Sequence, residues 1–240
     1  MSYRTLDAAK ILKTLRTLEQ RIVERFPGAG LAAVCSDLIA IGEDTQRDAQ
    51  AIAAPNWPLR LIVYLAVAAG LAGLGVIAWE INVQLGNAEV FSFFQGVEAV
   101  MNITVLVGAA LLFATTVDDR IKRRQALGKL HIFRSIAHVI DMHQLTKDPG
   151  SVLDGPRTES SPVRSMTKFE LTRYLDYCSE MLSLASKLAA LYAQELPDAV
   201  VIDAVNEIEN LTASFSRKIW QKISIVEAHV GGDPGILTAR

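Results

Sequence analysis

The sequence predicts an all-α protein: a two-helix transmembrane hairpin joined to a cytoplasmic helical bundle. Three observations carry that prediction. Of 240 residues, 24 are Lys or Arg, yet none lies between Arg60 and Arg120, where the chain's average density would place about six. Two long apolar runs fill that gap. Outside it, apolar residues recur at three- and four-residue spacing, the period of helices with one buried face.

Residues 1–57 read as a cytoplasmic N-terminal helix pair. Ile11, Leu15, Leu18, Ile22 and Phe26 form one stripe, and Pro27-Gly28-Ala29-Gly30 breaks the helix. A second helix from about Leu31 to Ala53 presents Leu31, Val34, Leu38 and Ile41. Residues 58–81 then hold enough apolar residues to cross a hydrocarbon core of about 30 Å at about 1.5 Å per residue. Trp57 and Trp79 suit its two interfaces. Residues 82–96 read as a short outer connector with Phe91, Phe93 and Phe94, and residues 97–117 as the second span. Basic residues flank both spans on one side only, Arg60 before the first and Arg120, Lys122, Arg123 and Arg124 after the second, so both termini are expected in the cytoplasm.

Small residues in the spans, Ala66, Ala69, Gly70 and Gly73 in the first and Gly108 in the second, suit close helix packing, within the hairpin or between copies. Glu98 and Asn102 share a face as candidate intramembrane polar groups. Val105, Leu106 and Ala109 continue that face, so no polar stripe crosses the membrane.

Residues 118–147 continue the second span as a cytoplasmic helical extension. Arg120, Arg124, His131, Arg134, His138 and Asp141 fall within about 120° of arc at about 100° per residue, a polar stripe beside the apolar Leu130, Phe133, Ala137 and Ile140. The stripe reads first as a hydrogen-bonded seam in which Arg134 and Asp141 neutralise each other. It reads second as a pH- or anion-responsive surface built on histidines, and third as a metal or catalytic site around His138 and Asp141, with Glu207 or Glu209 as added ligands. Residues 148–166, rich in Pro, Gly and Ser, read as a flexible linker. Residues 167–230 form a C-terminal helix pair. Thr167-Lys168-Phe169-Glu170 is a capping box, with Met166 and Leu171 placed as a hydrophobic staple. The first of the pair presents Leu171, Tyr174, Leu175, Cys178, Leu182, Ala185, Leu188 and Tyr192 before Pro197 stops it. Asp198 caps the last helix, whose inner side carries Ile202, Val205, Ile208, Thr212, Phe215, Ile219 and Val226, and residues 231–240 form a tail.

A net charge of −2 gives no global electrostatic reason to bind nucleic acid. Cys35 and Cys178 match no metal-ligand spacing and read as reduced, buried thiols. There is no phosphate-cradling loop, zinc-protease motif, nucleophile elbow or strand-helix alternation, so neither catalytic residues, nor a metal, nor a cofactor is expected. Residues 123–149 (RRQALGKLHIFRSIAHVIDMHQLTKDP), 172–194 (TRYLDYCSEMLSLASKLAALYAQ) and 216–223 (SRKIWQKI) resemble an uncharacterised family of bacterial two-span membrane proteins, over most of the chain from Arg16 to about Ile225. The resemblance implies a bacterial inner-membrane location and brings no activity. The expected function is that of a non-enzymatic scaffold or sensor whose partners are the lipid bilayer and either further copies of itself or another protein. The alternative is a small oligomeric channel or membrane-perturbing effector, and an enzyme or metal site around His138 and Asp141 comes third.

Overall fold

The computed structural model describes residues 5–54, 56–84, 90–147, 149, 159 and 166–228, and among these it is all-α, with six helices and no strand. They are α1 (Ala8–Arg25), α2 (Gly30–Ala53), α3 (Trp57–Gln84), α4 (Val90–Leu145), α5 (Lys168–Glu195) and α6 (Ala199–Ala228). The chain divides into two compact units, one formed by residues 1–53 with 125–240 and the other by residues 54–124.

The first unit is a helical bundle. Asp7 caps α1, its carboxylate accepting from the N–H groups of Ala9 (3.0 Å) and Lys10 (3.3 Å). The apolar stripe read from the sequence is buried from Ile11 to Phe26. Pro27 cannot continue the helix, and Gly28 turns the chain with φ +74°, a conformation that disfavours any residue with a Cβ. In α2, Gly42 permits a close crossing: a Cβ there would lie 2.7 Å from Leu12 Cδ2 and 3.0 Å from Leu188 Cδ1.

α5 runs through the centre of the bundle. The capping box is present, with the Glu170 N–H donating to Thr167 Oγ1 (3.2 Å) and the Thr167 N–H to Glu170 Oε2 (2.8 Å). Leu171 is buried and Met166 packs against the core beside it. Every residue of the expected α5 stripe is buried, but so are Tyr177, Met181, Leu184, Ala189 and Leu191. The buried residues cover about 200° of arc at about 100° per residue, wide enough to pack against several neighbours, and Arg173, Asp176, Glu180 and Lys187 occupy the remaining side.

α6 corrects one expectation. Its inner face is Val201, Val205, Ile208, Thr212, Phe215, Ile219, Ile223 and Val226, whereas Ile202 is 39% exposed. The seam advances in steps of three or four residues, and a step of four carries it back from Val205 to Val201. From Gln125 onward α4 completes the bundle, with Leu130, Phe133, Ala137 and Ile140 all buried as expected. Phe133 meets Tyr192 edge to face at 6.5 Å, and Lys129 pairs with Asp48 of α2 at 2.5 Å.

The second unit contains α3 and the start of α4. Both helices reach into the segment read as a connector, since α3 runs to Gln84 and α4 begins at Val90. Residues 85–89, most of the 148–166 linker and the 231–240 tail lie outside the described residues. Gly70 is the point of close approach: a Cβ there would lie 3.0 Å from Val107 Cγ2. Within Gly96–Leu145, α4 is long and apolar enough to cross a membrane, and that apolar stretch is not buried, whereas the described apolar run of α3, Leu61–Gly73, is shorter.

Candidate functional site

The six stripe residues of α4 divide between the two units. Arg120 and Arg124 belong to the second and are exposed. In the bundle, His131 and Arg134 line a crevice of about 230 Å³ between α4 and α6, together with Glu207. Arg134 pairs with Glu207 at 3.4 Å, through side chains more than half exposed. The expected pair of Arg134 with Asp141 is therefore replaced. Seven residues separate those two by about 10 Å along the axis, while α6 brings Glu207 alongside. Asp141 instead accepts from Gln144 Nε2 at 2.7 Å. The His138 ring stands edge to face on Phe215 at 5.3 Å, and the Lys218 ammonium lies 5.4 Å from the centre of the same ring. Among the described residues no group of three or more His, Cys, Asp or Glu is placed to hold a metal ion.

A denser polar cluster lies at the C-terminal end of α4, where the last carbonyls of a helix lack intrahelical partners. Lys222 of α6 donates to the backbone carbonyls of Gln144 (2.9 Å) and Lys147 (3.4 Å), placing a cation at the negative end of the helix dipole. Lys147, only 4% exposed, sets its ammonium 4.6 Å from the centre of the Tyr174 ring. The Tyr174 hydroxyl lies 3.5 Å from His143 Nδ1, and the His143 ring packs on Gly30, where a Cβ would come within 3.0 Å of Cε1.

In the sequence Lys147 is only the last residue of the α4 extension, and no motif marks Lys222. The available signal was a lysine on the final helix near the inner seam, opposite a helix end in need of a cap.

Cys178 lies beside this cluster. Burial pushes its thiol up to about 12, and the opposing pull of Lys147 and Lys222 is weaker. Burial likewise pushes Cys35 up to about 12, and its sulfur donates to the Leu15 carbonyl at 3.8 Å. Both remain thiols at neutral pH, poor nucleophiles and poor metal ligands. The chemistry of the cluster is that of a helix cap and a packed cation.

In the second unit, Glu98 and Asn102 are exposed, followed on their face by the exposed Val105, Leu106 and Ala109. Of the small residues, Gly70 meets α4 and Ala66 lines an apolar groove between α3 and α4, while Gly73 and Gly108 face open space and Ala69 is exposed. A polar latch joins the two helices at one end: Asn56 Nδ2 donates to Asp118 Oδ1, and Lys122 pairs with Asp118 at 2.9 Å through largely buried side chains. Asp118 and Lys122 are i,i+4 neighbours on α4, whereas Asn56 lies 62 residues earlier in the chain.

No family model, curated protein or solved structure matches the chain.

Proposed function

We propose that the chain is a two-span bacterial inner-membrane protein, with both termini in the cytoplasm, whose helical bundle works as a non-enzymatic scaffold or sensor through protein-protein assembly. One observation carries the membrane part: the bundle buries an apolar core, whereas no described large apolar side chain of the second unit is buried. Leu188, Phe133 and Ile219 are buried in the bundle, while Leu65, Val105, Leu112 and Phe113 are exposed on α3 and α4, Leu112 to 72%. A soluble monomer rarely exposes a contiguous apolar surface of more than a few hundred Å². A bilayer solvates such a surface, and the α-helix satisfies its own backbone groups there. The Lys/Arg gap from 61 to 119 supports the same assignment and its orientation. The family resemblance points to a bacterial inner membrane.

Assembly is supported by the outward face of α4 in the bundle. Ile132, Val139 and Met142 are exposed there at spacings of seven and three, a seam suited to another helix. The polar clusters described above bind the bundle's own helices to one another. Light scattering on the purified full chain in detergent tests this reading. A discrete homo-oligomer that Val139→Glu with Met142→Glu dissociates is expected, and a monomer for the wild type and the double variant alike would contradict it.

A channel is the second reading, favoured by the exposure of Glu98 and Asn102 in the apolar stretch of α4. Conductance in reconstituted bilayers that Glu98→Ala alters would replace the scaffold with it.

A further inference from the structure

The apolar groove between α3 and α4 is lined by Ile62, Ala66, Leu106, Ala110, Phe113 and Val117 among other apolar residues, and encloses about 410 Å³. From Leu106 to Val117 it follows α4 for about 17 Å, roughly half the thickness of a hydrocarbon core. Arg120 and Arg124 follow Val117 by three and seven residues, and both are exposed. At about 100° per residue, Leu106, Phe113, Val117, Arg120 and Arg124 fall within about 60° of arc, so the arginines continue the groove's own face. Side chains of a helix lean toward its N-terminus, here back toward the groove. Lys122 is turned away, held by Asp118 in the latch with Asn56.

We infer that this face of the hairpin binds one anionic phospholipid of the cytoplasmic leaflet, with an acyl chain in the groove and the phosphate against Arg120 and Arg124. The inference rests on the two-span reading. The groove supplies a dry surface about one leaflet long, and the guanidinium groups supply planar forks matched to phosphate oxygens. Arg120 lies about 4 Å and Arg124 about 10 Å beyond Val117 along the axis, a range that straddles the headgroup layer. An exposed lysine pair would offer charge without that geometry.

The test uses the full-length protein, reconstituted in phosphatidylcholine vesicles with phosphatidylglycerol as a minority component, then released into detergent for native mass spectrometry of retained lipid. Wild-type protein is expected to retain phosphatidylglycerol about tenfold over phosphatidylcholine, each arginine strengthening the attraction about fivefold at most. Arg120→Gln with Arg124→Gln is expected to bring the preference below about twofold. Ala110→Trp, which fills the groove, is expected to lower retention of both lipids. Added inorganic phosphate is expected to leave retention unchanged.

Preference unaltered in the double arginine variant, or displacement of the lipid by inorganic phosphate, would overturn the inference. Alkaline carbonate extraction of the same vesicles separates the two claims. Release of wild-type protein would sink the two-span reading, whereas retention without lipid preference would sink the lipid site alone.

Discussion

The bundle and the hairpin are made from the same aliphatic residues, yet each solves a different problem with them. In the bundle, side chains such as Leu15, Leu182 and Leu188 are withdrawn from solvent, and polar contacts occupy helix ends and edges. In the hairpin, side chains of the same kind face outward, and the close approach is made at Gly70. Burying apolar area stabilises a bundle in water, whereas across the proposed bilayer the same area would gain nothing by association, and close packing at small residues would have to supply the attraction. Hydrophobicity alone therefore does not distinguish the regions; the direction the side chains face does.

A charge on the exposed face separates the two regions most sharply. Leu112→Arg costs about 3 kcal/mol of insertion if α4 spans a membrane, and next to nothing if that face meets water. Fractionation of the variant between membrane and soluble pools reads the difference. The paired truncations come next. Leu188→Ala, at the α2 and α5 crossing, is expected to destabilise the bundle by about 3 kcal/mol, and Leu112→Ala by less than about 0.5 kcal/mol, in denaturant unfolding of the micellar protein. Gly28→Ala, at φ +74°, is expected to cost about 1 kcal/mol by the same measurement without changing the hairpin.

The smallest effect is pH-dependent and confined to the bundle. The Glu170 carboxyl is held below its ordinary value of 4.5, first by the Thr167 backbone N–H and then by the Thr167 hydroxyl. A depressed folded-state value means that the capping box stabilises α5 above the ordinary glutamate range, and that this is lost as pH falls through the depressed value. Glu170→Gln should therefore lower the Tm at pH 7, with the gap from wild type closing in acid. A gap that persists at low pH would show that the cap does not depend on the ionised carboxylate.

The sequence was legible where structure is local. The α1 stripe, the Thr167/Glu170 box and the buried side of the α4 extension all follow from residues within a turn or two of each other. What could not be read depends on partners far along the chain. Lys222 caps a helix end 78 residues earlier, Arg134 finds Glu207 rather than Asp141, and Asn56 reaches Asp118. Val201 replaces Ile202 for a related reason. Both positions are apolar, and the register of α6 against its neighbours selects between them. The candidate stripe was visible as a pattern on one helix, but its division into separate contacts is a property of the packed helices.

The proposed topology puts α3 and α4 across a membrane with both termini on the cytoplasmic side. Cys35 and Cys178 are buried and their thiols are pushed up to about 12, so introduced cysteines can be labelled against a silent background. Asn87→Cys lies in the connector and Glu227→Cys near the end of α6. With a membrane-impermeant maleimide, the two-span topology predicts labelling of Asn87→Cys but not Glu227→Cys in cells whose inner membrane is intact, and labelling of both after lysis. Labelling of Glu227→Cys in intact cells, or protection of Asn87→Cys until lysis, would contradict it.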